Sequence, residues 1–132
     1  MCHARAFILF RLGVPLREIA ATCNYRTIAD AQRGIACYDA YRRAQPRPIV
    51  AIDLDRLLRN GTSCARAATI HRLDVATVVA YSRREYAMID GWVRQGHAIA
   101  HLDAHPATIM RYCDDGLLVH GIANGERWIK VM

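Results

Sequence analysis

At 132 residues, with a hydrophobic fraction of 53% and a formal net charge of +6, the chain is sized for one domain or two very small ones. It is too apolar for a disordered tail. Seventeen of its 18 basic residues are arginine, whose planar fork suits phosphate and guanine edges, so polyanionic partners are favoured over neutral ones. A GC-rich coding sequence also raises arginine and alanine, but the charge remains either way. The five cysteines are odd in number and nowhere spaced as Cys-x-x-Cys, which excludes zinc-ribbon and thioredoxin-like sites and reads as reduced thiols of a cytoplasmic protein. The apolar run from Ala6 to Phe10 is too short for a signal-peptide core or a membrane span, so no membrane partner is expected.

In chain order, Cys2-His3 reads as an inert, unordered end, and residues 4–12 as a first helix stopping at Gly13. Pro15 fits the first turn of a second helix through about Thr22, and residues 23–26 form a turn. A long helix then spans about Thr27 to Arg43, with Ile28, Ala31, Ile35 and Tyr38 on one stripe. Gln45-Pro46-Arg47-Pro48 breaks it and is the best linker in the chain. The next helix carries Val50, Leu54, Leu57 and Leu58 and stops at Asn60-Gly61. Thr62 or Ser63 can cap its successor, Leu73 falls at a turn, and Asp74 caps a helix whose Val78 and Tyr81 point inward. That helix is expected to continue through Arg83-Arg84-Glu85 into Tyr86, Ile89, Trp92 and Val93. His97 to Leu102 is a short helix, Pro106 opens another, and Asp114-Asp115-Gly116 ends it. The tail changes period: residues 116–120 and 127–131 read as two strands joined through Asn124-Gly125, a strong hairpin signal.

The same phrase recurs three times: a segment closing on Arg-x-Gly (Arg11, Arg59, Arg94), a short Ala-rich helix, then Thr followed by Ile or Val (Thr27, Thr77, Thr108). Helix, tight turn and second helix in this grammar predict tandem helix-turn-helix units. The expected fold is therefore mainly α, with units at residues 1–45, 49–84 and 85–132 and a short C-terminal β-hairpin wing. None is large enough to bury a useful core alone, so the three are expected to pack on one another. The step from Ala68 to Thr77 is the cleanest, although Arg72 stands where many such turns place Gly. Units one and three are two and one residues short of that spacing.

In unit one, Asn24, Arg26, Thr27, Asp30 and Arg33 lie near the start of the recognition helix, where side chains reach base edges. Asn24 pairs with adenine or caps the turn, and Arg33 reads guanine or grips phosphate. In unit two, Arg66 and Arg72 are phosphate candidates, joined by Arg83 and Arg84. Its recognition helix exposes Val75, Ala76, Val79 and Ala80, which read bases poorly and lean toward a structural or dimer role. From His105 to Val131, the run His-Pro-Ala-Thr-Ile-Met-Arg-Tyr, the Gly116-Leu117 step and Gly125-Glu126-Arg127 resemble the winged helix of MerR-like regulators and phage excisionases. That resemblance implies His105, Thr108 and Arg111 facing DNA on the helix, and Asn124 and Arg127 on the wing. The long dimerisation helix and effector region of MerR proteins are absent, so small-molecule sensing does not carry over.

Other chemistry is thin. His97, His101 and His105 are spaced by four, with Cys113 beyond, but Pro106 breaks the helix before the third can align, so no metal is expected. The pairs Asp53/Asp55 and Asp114/Asp115 read as helix-end residues, and no phosphate loop or nucleophile elbow appears, so neither an enzyme nor a cofactor is expected. The expected function is sequence-specific binding of double-stranded DNA, as a transcription regulator or recombination factor of phage or mobile-element type. A homodimer on a pseudo-palindrome and contact with RNA polymerase belong to that expectation. The alternatives are a protein-interaction module that binds polymerase or another protein, and a recombination or DNA-packaging accessory protein.

Overall fold

The computed structural model describes residues 3–44 and 47–132. Gln45 and Pro46 of the expected linker, and Cys2, lie outside these. The architecture is mainly helical with a small C-terminal antiparallel sheet. Unit one comprises α1 (His3–Arg11), α2 (Leu16–Thr22) and α3 (Ile28–Ala44). Unit two comprises α4 (Ile49–Arg59), α5 (Cys64–His71) and α6 (Val75–Ser82), and the C-terminal part β1 (Trp92–Arg94), α7 (Gln95–Leu102), α8 (Pro106–Asp114), β2 (His120–Ala123) and β3 (Glu126–Lys130). The sheet order is β1-β3-β2.

Turn chemistry sets these boundaries. Each helix pair turns on a residue in the left-handed region: Asn24 (φ 60), Arg72 (φ 54) and Asp103 (φ 50). After Asn24 and Arg72 the next amide closes the helix, Tyr25 N–H to Ala20 O and Leu73 N–H to Ala68 O, both at 2.9 Å. Such closure normally falls to Gly. Arg72 thus adopts the geometry for which glycine is usual, and the turn forms without it. Ser63 Oγ accepts from Arg66 N–H at 3.2 Å and caps α5 as expected. Asp74 occupies the N-cap of α6 but its carboxylate makes no capping bond.

The α5–α6 and α7–α8 pairs repeat: the helix starts and the turn recur 31 residues on, Cys64 to Gln95, Arg72 to Asp103 and Val75 to Pro106, although α4 has no counterpart. On this register Ala68 corresponds to Ile99, so unit three has the full turn spacing. Unit one does not share the phrase. Thr27 is itself the N-cap of α3, its Oγ1 accepting from Asp30 N–H at 3.1 Å, whereas Thr77 and Thr108 lie three residues beyond their caps.

The expected helix through residues 83–93 does not form. Arg84 (φ 61) ends α6, with Glu85 N–H bonding Ala80 O at 2.9 Å. Asp90 and Gly91, both at positive φ, then make a two-residue turn in which Ile89 and Trp92 exchange both backbone bonds at 2.9 Å. Tyr86, Ile89 and Trp92 fit helical spacing, but Asp-Gly is a hairpin signal and it prevails. Trp92 and Val93 are instead β1, paired with Lys130 and Ile129. The first tail strand begins later than expected, at His120, because Leu118 and Val119 dive into the core. The Asn124-Gly125 turn is as expected, joining Ala123 to Glu126 with positive φ at both residues. Asp53 and Asp55 prove to be mid-helix residues paired with Arg56 and Arg59, not helix-end groups.

One hydrophobic cluster runs through all three units. Tyr38, fully buried on α3, donates to Lys130 O and accepts from Val119 N–H, both at 3.1 Å, and so ties unit one to the sheet. Tyr81 on α6 bonds Ala51 O of α4 at 3.1 Å and packs on Trp128 of β3, with ring centroids 5.8 Å apart. Burying such aromatics contributes about 1.5–3 kcal/mol each. His3, expected in an unordered end, is part of α1: Nδ1 lies 2.7 Å from Tyr25 Oη and the rings stack.

Candidate nucleic-acid interface

The hairpin has two faces because paired residues of neighbouring strands project to the same side. Ile122 opposes Arg127, and His120 opposes Ile129, on one face; Gly121 opposes Trp128, and Ala123 opposes Glu126, on the other. From the first face Arg127 reaches α8, its Nη1 lying 3.5 Å from Met110 Sδ. Arg127 also draws down the Cys113 thiol, although burial is the larger influence and raises that thiol overall. Arg111 is exposed one position further along α8, its guanidinium 6.0 Å from the Tyr112 ring centroid. Arg127 thus reaches Met110, the chain neighbour of Arg111, and neither arginine forms an ion pair among the described residues. Ile122, 59% exposed beside Arg127, belongs to the same surface. Sequence reading missed it, although counting back in steps of two from the Asn-Gly turn would have placed it there.

At the start of α8, His105 is the N-cap, its Nδ1 accepting from Ala107 N–H at 3.1 Å. Its ring therefore has a local structural partner, while the residue as a whole stays exposed. Thr108 is half-buried.

The opposite face of the hairpin is fastened to unit two. Arg94 donates from Nε to Glu126 Oε2 at 3.0 Å and from Nη2 to Tyr81 O at 3.1 Å, and its guanidinium lies over the Tyr81 and Trp128 rings. Arg84 adds a second ion pair to Glu126. Burial makes Arg94 hold its proton less firmly and raises the Tyr81 hydroxyl. Asn124, expected on the DNA side of the wing, sits at the tip (φ 54) and lines a cleft with Asp55, Arg59 and Asn60 near α4. The hairpin is therefore a braced element, not a free arm.

The unit-one candidates form a separate group. Asn24, Arg26, Asp30 and Arg33 line an open cleft of about 480 Å³ together with His3 and Tyr25. Asp30 is ion-paired with Arg33, and Thr27 serves as a cap. Arg26 is exposed without an ion pair among the described residues. Gly34 forms the cleft floor because a Cβ there would lie 2.8 Å from His3 Nδ1. In unit two, Arg66 and Arg72 are exposed and likewise unpaired among the described residues, while α6 turns Val75 and Ala76 to solvent. The structure thus groups Asn24, Arg26, Asp30 and Arg33 around one cleft and sets Arg127 against Met110, next to Arg111 in the chain.

His97 and His101 share a face of α7 and flank Tyr86, whose Oη is 2.6 Å from His101 Nε2. His105 is on the next helix, as Pro106 predicts. No group of three metal-binding side chains assembles among the described residues. The cysteines described, at 23, 37, 64 and 113, are unpaired. No helix among the described residues is long and apolar enough to cross a membrane. Comparison with protein-family models, curated proteins and solved structures returns no match to this chain.

Proposed function

We propose that the chain is a small sequence-specific binder of double-stranded DNA, a transcription regulator or recombination factor by its size and charge. The observation that carries this reading is the α8–hairpin corner. Pro106, Ala107 and Arg111 are exposed on a helix that Arg127 of the hairpin touches at Met110, and neither arginine is ion-paired among the described residues. In the winged-helix geometry that this arrangement resembles, α8 enters the major groove and the hairpin follows the backbone. Arg111 then reaches a base edge or phosphate, and Arg127 a phosphate, with bidentate guanine the strongest specific contact open to either. Unit one contributes Arg26 as a second contact. The net charge of +6 supplies a sequence-independent, salt-sensitive term.

The bracing of the hairpin supports this reading physically. A contact held by Arg94, Glu126 and Trp128 loses little conformational entropy on binding. The test is selection from random duplex DNA, followed by affinity for the winner across a salt series. One enriched motif that outcompetes scrambled duplex is expected. Enrichment of nothing, with weak binding that vanishes as salt rises, would refute sequence-specific recognition.

A further inference from the structure

The α5–α6 corner of unit two is apolar where it meets solvent. Ile70 is 53% exposed at the end of α5 and Val75 48% exposed at the start of α6, with exposed Ala76 and half-buried Leu73 between and beside them. Two opposite charges stand in the turn between these residues: Arg72 at the C-cap of α5 and Asp74 at the N-cap of α6. An N-cap Asp ordinarily accepts an amide N–H two or three residues on. Asp74 makes no such bond, and neither Asp74 nor Arg72 forms an ion pair among the described residues. Asp30, Asp39, Asp53 and Asp55 are ion-paired within their own helices, whereas Glu18 and Asp114 share with Asp74 the lack of an ion pair among the described residues.

We infer that this corner is a homodimer interface, whose occupant is the same corner of a second copy of this chain. A two-fold interface maps one patch onto itself, so the patch must be self-complementary. An apolar corner that carries one positive and one negative charge in its turn meets that condition. Ile70, Val75 and Ala76 cover their counterparts, while Arg72 of each copy faces Asp74 of the other, forming the pair twice. A corner carrying arginine alone would repel its copy. Arg66 and Arg83 stay outside the exchange and remain solvated. This inference is independent of DNA binding, since it concerns only the free chain.

Sedimentation equilibrium of the full chain without DNA tests it, with circular dichroism to establish that each variant is folded. The wild type is expected to be a reversible dimer. Ile70→Asp and Val75→Asp, each placing a charge in the apolar centre, should raise the dimer Kd on the order of 100-fold. Arg72→Asp and Asp74→Arg should each weaken it on the order of 10-fold, since each sets like charges opposite one another across the two-fold. The double variant R72D/D74R restores opposite charges and should recover most of the affinity. Aspartate also tolerates the left-handed turn at position 72. A chain that sediments as a monomer at about 1 mM overturns the inference. So does a dimer indifferent to both Ile70→Asp and Val75→Asp, or a double swap no tighter than the single ones.

Discussion

Helices α6 and α8 occupy equivalent places in two copies of one corner, yet they present opposite chemistry. Both follow a left-handed turn residue, and both bury the residue four beyond the cap, Val78 and Ile109. What differs is the outer surface. Exposed Val75 and Ala76 in α6 stand where α8 has Pro106 and Ala107, and half-buried Ala80 stands where α8 has exposed Arg111. The buried positions define the corner and the exposed ones are free to diverge, so a repeat in fold need not be a repeat in function. The hairpin serves the copies differently: Arg127 touches α8 at Met110, while the opposite face leans back on unit two through Tyr81, Arg84 and Arg94.

The largest effect should come from breaking that support. Trp128 is 1% exposed and touches both Tyr81 and Arg94. Trp128→Ala is expected to cost about 3–5 kcal/mol in urea unfolding. Because the core is continuous, signals from units two and three should be lost in one transition. Two separate transitions would show that the repeats fold independently. Next comes the surface that separates α8 from α6. On the selected duplex, Arg111→Ala should cost about 1–3 kcal/mol and relax specificity if Arg111 reads a base. Arg127→Ala should lower the salt slope by about 1. Arg43→Ala is the control, since Arg43 is exposed and paired with Asp39 within α3, and it should leave both quantities unchanged. Equal losses from all three would point to diffuse charge instead of a defined corner.

A smaller effect distinguishes the turns. Arg72 holds φ 54 without the short polar side chain that eases this conformation, whereas Asp103 has one and is also paired with Arg5. Arg72→Gly should raise stability by about 0.5–1 kcal/mol, read as a shift in urea midpoint, and Asp103→Gly should give no gain. A loss at position 72 would mean that the arginine side chain contributes more than its backbone costs.

The legibility of the chain follows the range of its interactions. Short-range chemistry was readable: Ser63 as a cap, Pro106 as a helix opener, Asn124-Gly125 as a hairpin turn and the apolar stripe of α3 around Ala31, Ile35 and Tyr38. Where two local signals competed, the helical period of Tyr86, Ile89 and Trp92 masked Asp90-Gly91, and β1 was lost with it. Long-range consequences were not readable. Nothing near Asn124 tells that the hairpin tip borders α4, and nothing near Glu126 tells that Arg84 and Arg94 converge on it. For the candidate interface, Arg111 and Arg127 could be named but not related, because the contact of Arg127 with Met110, next to Arg111, joins two different elements. Thr27 and His105 were named for base contact, yet each caps its own helix, since the residue types that cap and those that read bases overlap.

The smallest expected effect again separates the copies, through acid. Where α7 carries His97 and His101, α5 carries Arg66 and Ile70, so the histidine pair belongs to the third unit alone. Burial lowers the pKa of both histidines below the usual 6.5, with Arg94 adding to the effect at His97. His97 Nδ1 is buried with no hydrogen-bond partner, and His101 Nε2 is engaged by Tyr86. The folded chain therefore prefers both rings neutral, while the unfolded chain protonates them at about 6.5. Their contribution to stability is fully present above pH 6.5 and declines as pH falls through the lowered folded values. His3, also lowered by burial, acts in the same direction from unit one. Urea midpoints measured from pH 7.5 down to 5 should fall, and the double substitution of His97 and His101 by Gln should flatten that slope. An unchanged slope in this variant would place the acid sensitivity at His3 or the carboxylates and leave the Tyr86 stack without a role in it.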